Sequence, residues 1–149
     1  MNALAIPPMQ DVAIDRVSRF EAVAATLPQV EIATHHVLHA GIYARTILVP
    51  AGTILTGALV DIATTIIVCG DCTVALGDGR SERLTGYHVL PASGRRKQAY
   101  VAHADTWLTM SFATSAKTVD EAEDEFTAEA HRLMSRQSGH LNTVIVTGL

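Results

Sequence analysis

The chain has 149 residues, 48% of them apolar but only 5% aromatic and 17% charged, with a formal net charge of −4 at pH 7. That length holds one domain with a sizeable core of Val, Ile, Leu and Ala, and the composition excludes a disordered polymer. The negative balance excludes general phosphate-tracking on nucleic acid or an anionic membrane.

No apolar run approaches the roughly 20 residues that span a bilayer. The N-terminal residues lack the basic start, apolar stretch and cleavage site of a secretory leader, so a soluble, non-secreted chain is expected. The two cysteines do not make a disulfide framework, which fits a reducing compartment.

Residues 1–10, MNALAIPPMQ, form an apolar arm whose prolines oppose helix and favour extended backbone. From Asp11 to Leu27, apolar side chains at Ile14, Val17, Phe20, Ala24 and Leu27 make one helical stripe, with Asp11 placed to cap its start and Pro28 to stop it. Between Val30 and Ala113 the pattern shortens to β-rich runs: VEIATHHVL, GIYARTILV, TILTGAL, TTIIV, CTVAL, ERLTG, YHVLP, QAYVAH and TWLTMSFA. Their separators are His39-Ala40-Gly41, Pro50-Ala51-Gly52, Gly70-Asp71, Gly77-Asp78-Gly79 and Pro91-Ala92-Ser93-Gly94. Eight or nine short strands without intervening helices predict an all-β core, an antiparallel sandwich or barrel.

A second helix opens at Thr118, in capping-box spacing with Glu121, and carries Val119, Ala122, Phe126, Ala130 and Leu133 on one face. Acidic residues crowd its start and His131, Arg132 and Arg136 lie near its end, as the helix dipole favours. Ser138-Gly139 ends it, and HLNTVIVTGL is a strand-like tail. The predicted division is 1–29 arm and helix, 30–113 β core, and 114–149 helix and tail.

Cys69 and Cys72 stand in C-x-x-C spacing around Gly70-Asp71, a hairpin signal between two β-rich runs. Residues flanking such a turn have Cα atoms ~5.5 Å apart, within disulfide range. A redox pair would need the motif to open a helix, and a zinc site would need a second ligand pair. The leading expectation is small, buried or half-buried residues beside a turn, with redox and zinc roles as alternatives. Gly94 to Lys97, GRRK, predicts a solvated basic loop, suited to an acidic partner surface rather than DNA.

Residues 40–113 resemble the cupin family, in particular small cupin-like proteins encoded by tailed bacteriophages. The resemblance is carried by Pro50-Ala51-Gly52-Thr53, Gly70-Asp71, Gly86, Pro91, Gly94, and His103 with the Thr106-Trp107-Leu108-Thr109 strand after it. It implies a cupin-like jelly-roll. It also implies where metal ligands would fall: a glutamate at Ala63, paired histidines near Gly57 and Leu59, or, in phage-type relatives, a histidine near Val60 and Asp61. Only His103 persists from the second motif, and a catalytic site needs three protein ligands, so neither metal nor other cofactor is expected. His35, His36, His39 and His88 are the residues that would have to rebuild a site with His103.

Together with a barrel emptied of ligands and an arm at each end, the resemblance to phage-encoded cupin-like proteins implies a non-enzymatic virion protein. In this reading it is a cement or decoration protein on a capsid surface, made in the host cytoplasm. It would bridge major capsid subunits as a homodimer or other homo-oligomer, without contacting membrane or nucleic acid. Leu4, Ile6 and Met9 of the arm and Val144, Ile145 and Val146 of the tail would cover apolar patches on neighbours, with Arg95, Arg96 and Lys97 as a basic contact. In the blander case both segments pack on their own barrel. The rival readings are a small metal-dependent cupin enzyme of isomerase or dioxygenase type, and a metal-free ligand-binding cupin with a pocket.

Overall fold

The computed structural model describes residues 4–77 and 79–149; Met1, Asn2 and Ala3 of the arm and Asp78 of the Gly77–Gly79 turn lie outside the described residues. The β-branched runs become β1 (Thr34–His39), β2 (Ile42–Val49), β3 (Ile54–Thr56), β4 (Thr64–Ala75), β5 (Ser81–Ala92), β6 (Ala99–Ala102) and β7 (Thr106–Ala113), and the tail becomes β8 (Asn142–Thr147). Helices α1 (Asp11–Ala24) and α2 (Val119–Phe126) flank them. Among the described residues the strands form one curled sheet in the order β3-β6-β4-β7-β2-β1-β8, with β5 added to β4. All pairings are antiparallel except β1 with β8.

The nine predicted runs merge because Gly70-Asp71 is not a turn. TTIIV and CTVAL are one strand, β4; ERLTG and YHVLP are one strand, β5; and Gly70 faces Gly86 across their ladder. Glycine marks both turns and bends in a continuing strand, and here it is the second. Gly70 has φ +150°, and a Cβ there would lie 2.7 Å from Asp105 O and Thr106 Cα. At this pivot β4 exchanges β7, its neighbour along Thr65–Cys69, for β6, its neighbour along Cys72–Val74. The freed Asp71 carbonyl accepts the N–H groups of His103 (2.8 Å) and Ala104 (3.2 Å).

Both terminal segments pair with their own chain, the blander of the two expected arrangements. Ile6 N–H donates to Pro91 O, Ser93 N–H to Ile6 O, and Met9 N–H to Arg95 O, each at 2.9 Å, so the arm runs along residues 91–95. Ile6 and Met9 are buried, and Leu4 packs partly buried on the main core, because extended apolar residues beside a sheet gain most by covering it. The tail adds β8 to β1, leaving all six of its side chains, Val144, Ile145 and Val146 included, exposed.

Asp11 is the first residue of α1 rather than its cap; Gln10 holds the cap position without a side-chain bond. Ile14 and Val17 of the stripe are buried with Met9 and Ala13, whereas Phe20 and Leu27 stay exposed. Thr118 does cap α2, accepting Glu121 N–H at 3.2 Å, while Glu121 accepts Lys117 N–H at 2.9 Å. That helix stops at Phe126; two single 3-10 turns follow, yet Ala130 and Leu133 still join Ala122 and Phe126 in one cluster. No helix among the described residues is long and apolar enough to cross a membrane.

Two predictions follow from the pivot and the tail. Gly70→Ala is expected to lower stability by about 2 kcal/mol more than Gly86→Ala in urea unfolding, because only Gly70 combines positive φ with a backbone clash. His36 is buried between Tyr43 and Asn142: Asn142 Nδ2 donates to Ser135 O, so its Oδ1 accepts from His36 Nε2 (2.8 Å) and Nδ1 accepts the Tyr43 hydroxyl (2.7 Å). Burial, with the Arg45 charge nearby, holds its pKa below the ordinary 6.5 despite the Asn142 bond. The unfolded chain then takes up a proton before the folded one does, so this stability is whole above that value and is lost as pH falls toward the lower folded pKa. Hydrogen exchange in Asn142–Thr147, corrected for intrinsic rates, should accelerate relative to β7 as pH falls from about 7 to about 5.

Candidate functional site

Inward positions along β2, β4 and β7 alternate as a curled sheet requires, but they do not fill the barrel. A cavity of about 730 Å3 remains, walled by Ile47, Leu55, Ile66, Leu108 and Met110 among others. Met110 packs against both large core clusters, so the cavity lies where they meet. Phe20, Leu27, Val30, Ile54 and Met134 line it and are exposed, which gives it an apolar rim. The unburied half of the α1 stripe is part of that rim.

The polar wall comes from the segment between β5 and β6. Gly94 lets this segment press against residues 61–62, since a Cβ there would lie 2.5 Å from Asp61 O. Val60 and Arg96 exchange backbone hydrogen bonds at 2.8 and 3.1 Å. Arg96, 2% exposed, donates through Nη1 to Ser93 O (2.6 Å) and Ile62 O (3.2 Å) and through Nη2 to Thr64 Oγ1 (2.6 Å). Among the described residues no carboxylate pairs with it. Burial lowers its pKa, but a guanidinium stays charged.

Lys97, also buried, donates to Gly57 O (3.0 Å) and meets Glu21 at 3.1 Å. Glu21 in turn accepts Thr56 Oγ1 (2.8 Å) and reaches Arg132 (3.5 Å), tying α1 to the rim. Gln98 is 5% exposed; its Oε1 accepts the Tyr100 hydroxyl at 3.1 Å, and its Nε2 has no partner among the described residues. Burial pushes the Tyr100 phenol up to about 12, so it stays protonated as that donor.

On the opposite wall Arg45 donates to Glu123 at 2.7 Å. Glu123, 1% exposed, also accepts from Arg136 Nε (3.0 Å) and from Ser135 Oγ. Burial opposes its ionisation, but the Ser135, Arg136 and Arg45 hydrogen bonds outweigh that and hold its carboxyl below the usual range.

The expected basic loop is thereby corrected. Only Arg95 is solvated, paired with Asp11 at the start of α1, while Arg96 and Lys97 turn inward because backbone carbonyls, Thr64 and Glu21 replace their water. The cysteines do not flank a turn. On a strand, positions three apart face opposite ways: Cys69 is exposed, Cys72 is buried with its thiol pKa pushed up, and both are free.

The histidines do not converge. His35 lies against Trp107 on the outer face, His36 is buried under β8, His39 reaches Thr147, His88 reaches Thr85 O, and His103 meets Thr73 at 2.7 Å beyond the end of β6. Among the described residues no three His, Cys, Asp or Glu side chains are placed to hold a metal ion. The residues present therefore do not fit a cupin-type metal centre. Gly57 and Val60, where the resemblance placed ligands, line the cavity and offer it no donor side chain.

Sequence reasoning missed Gln98, Tyr100 and Arg45. Their signal is the strand alternation itself: Gln98, Tyr100 and Ala102 share one face, as do Tyr43, Arg45 and Val49, and a polar side chain among apolar inward positions marks a cavity wall.

No protein-family model and no curated protein matches the sequence. Solved structures do resemble the fold. Ectoine synthase from P. lautus superposes with a TM-score of 0.51 at 13% identity, over 67% of this chain and 76% of that one. A protein from Neisseria meningitidis gives 0.49 at 10% identity, over 64% and 95%. An RmlC-like cupin family protein with a double-stranded β-helix fold from Methanocaldococcus jannaschii gives 0.47 at 13%, over 56% and 80%. At these identities the likeness is one of fold: the core is an all-β, cupin-like jelly-roll.

Glu123→Gln is expected to destabilise the protein by about 3 kcal/mol at pH 7 in chemical denaturation, since Arg45 loses its buried counter-charge. The sign with pH follows from the lowered carboxyl: its stabilisation is present above the unfolded value and lost as pH falls through the folded one. The gap between wild type and variant should therefore shrink on acidification below about pH 4.

Proposed function

We propose that this protein is a metal-free ligand-binding cupin whose barrel holds a small molecule. The observation that carries the reading is Gln98, a residue that lines a 730 Å3 cavity and whose Nε2 is a buried donor without a partner among the described residues. Leaving such a group unmade costs on the order of 1–3 kcal/mol, a cost that a bound acceptor removes. The apolar walls supply affinity and the few polar groups supply orientation, the usual division in small-molecule sites. Recognition and release, rather than metal-assisted chemistry, is the activity this wall supports.

A second reading, a cement or decoration protein of a tailed-phage capsid that contacts the major capsid protein and its own copies, draws support from β8. Its Val144, Ile145 and Val146 are exposed on a strand that, among the described residues, pairs on one side only, which is a template for adding a neighbour's strand. In that reading the jelly-roll sits at the virion surface and Arg95 marks the exposed basic contact. Sedimentation with intact virions, at a fixed ratio to the capsid protein, is its expected outcome; absence from purified virions would remove it.

The ligand-binding reading is tested by thermal denaturation against a panel of small organic molecules, with wild type beside Leu55→Trp, which fills the cavity. At least one compound should raise the wild-type Tm by several degrees and leave the filled variant unmoved. No shift with any compound, or one iron, manganese, nickel or zinc ion per purified chain, would contradict it.

A further inference from the structure

The charges and donors around the cavity are unequal to its protein acceptors. Among the described residues four cationic side chains line it, Arg45, Arg96, Lys97 and Arg132, against two carboxylates, Glu21 and Glu129, in a chain whose net charge is −4. Arg45 has Glu123 and Lys97 has Glu21 as counter-charges, whereas Arg96 has neutral acceptors alone among the described residues. A buried cation without a counter-charge is costly unless something else supplies the charge.

The hydrogen count locates the deficit. A guanidinium has five N–H donors. Ser93 O and Ile62 O take both on Nη1, and Thr64 takes one on Nη2. The Nε hydrogen and one Nη2 hydrogen have no acceptor among the described residues, and Nε with Nη2 is the side of the fork that grips a carboxylate bidentately, as Arg83 grips Asp71 on the surface of this same chain. The two unsatisfied groups, Arg96 and Gln98, stand two residues apart in the chain and line the same cavity with Tyr100, whose hydroxyl fixes the orientation of the Gln98 amide.

We infer that the cavity takes a small molecule bearing a carboxylate on an apolar body, the carboxylate seated between the Arg96 guanidinium and the Gln98 side-chain amide. This rests on the reading of the cavity as a ligand site. A carboxylate offers two oxygens and about four acceptor positions, which matches two leftover donors on Arg96 and two on Gln98. It also brings the one negative charge that Arg96 lacks. Ile47, Leu55, Ile66, Leu108 and Met110 receive the body, and the apolar rim at Phe20 and Leu27 admits it. A phosphate monoester fits less well: it brings more charge and more acceptors than the two leftover donors on Arg96 and the two on Gln98 can meet.

Titration calorimetry tests the inference with octanoate, benzoate, octanamide and inorganic phosphate as probes, on wild type, Gln98→Glu and Leu55→Trp. Octanoate or benzoate should bind wild type at least about tenfold more tightly than octanamide, since a charge-assisted pair is worth upwards of 1.4 kcal/mol. Gln98→Glu places a carboxylate beside Arg96, so it should raise the Tm of the unliganded protein and weaken the carboxylates by about 100-fold while leaving octanamide within a few fold. Octanamide binding as well as octanoate, with both lost in Leu55→Trp, would overturn the carboxylate assignment and leave the ligand site standing. Inorganic phosphate binding as tightly as octanoate would likewise overturn it, in favour of a phosphate head. Failure of all four probes on a folded wild type would overturn this inference, and the wider panel above decides separately whether the cavity binds anything.

Discussion

Arg96 is the constraint from which the site is built. Its guanidinium sits out of water on the inner wall of a barrel and ties its own segment, through the carbonyl of Ser93, to the stretch that enters β4, through the carbonyl of Ile62 and the hydroxyl of Thr64. A cation in that position organises its surroundings, because every lost hydrogen bond leaves charge unsolvated. The neighbouring elements serve the same placement. The N-terminal arm lies along residues 91–95, and Met9 Sδ accepts the Lys97 backbone N–H at 3.2 Å. Gly94 lets the segment close on Asp61, and Glu21 anchors the Lys97 ammonium from α1.

This arrangement reassigns two features that sequence alone points elsewhere. An apolar arm suited to gripping a neighbour is instead the strap that fixes the cavity's polar wall. A run of three positive charges suited to a solvated loop is divided at Arg95, whose φ of +60° interrupts the extended backbone: Arg95 faces water, while Arg96 and Lys97 are both buried, Lys97 against Gly57 O and Glu21. The positions at which the cupin resemblance places metal ligands carry Gly57, Leu59 and Ala63, and the polar groups of the cavity lie on a different segment.

Much of the fold is legible in the sequence. Period-two alternation across β1, β2 and β7, the capping box at Thr118 and the strand-like tail all follow from local pattern, and local pattern is what sets them. The joining of TTIIV with CTVAL is not legible, because a glycine that turns the chain and a glycine that lets Thr106 approach a continuous strand are the same letter; the close approach is a tertiary fact. The end of α2 at Phe126 is equally hidden, since Ala130 and Leu133 keep their apolar contacts through 3-10 turns. The cavity is the least visible part. Its polar wall depends on which way Arg96 and Gln98 face, and that is set by residues 60–62 pairing with a segment more than thirty positions away.

The central claim is that Arg96 and Gln98 hold unspent donors for a carboxylate. It is tested most directly by following the Arg96 Nε–H and the Gln98 side-chain amide in 1H–15N spectra during titration with octanoate. The account predicts that both signals move together and saturate at one equivalent, while the exposed Arg83 signal stays fixed. Saturable binding that leaves both signals in place would contradict it.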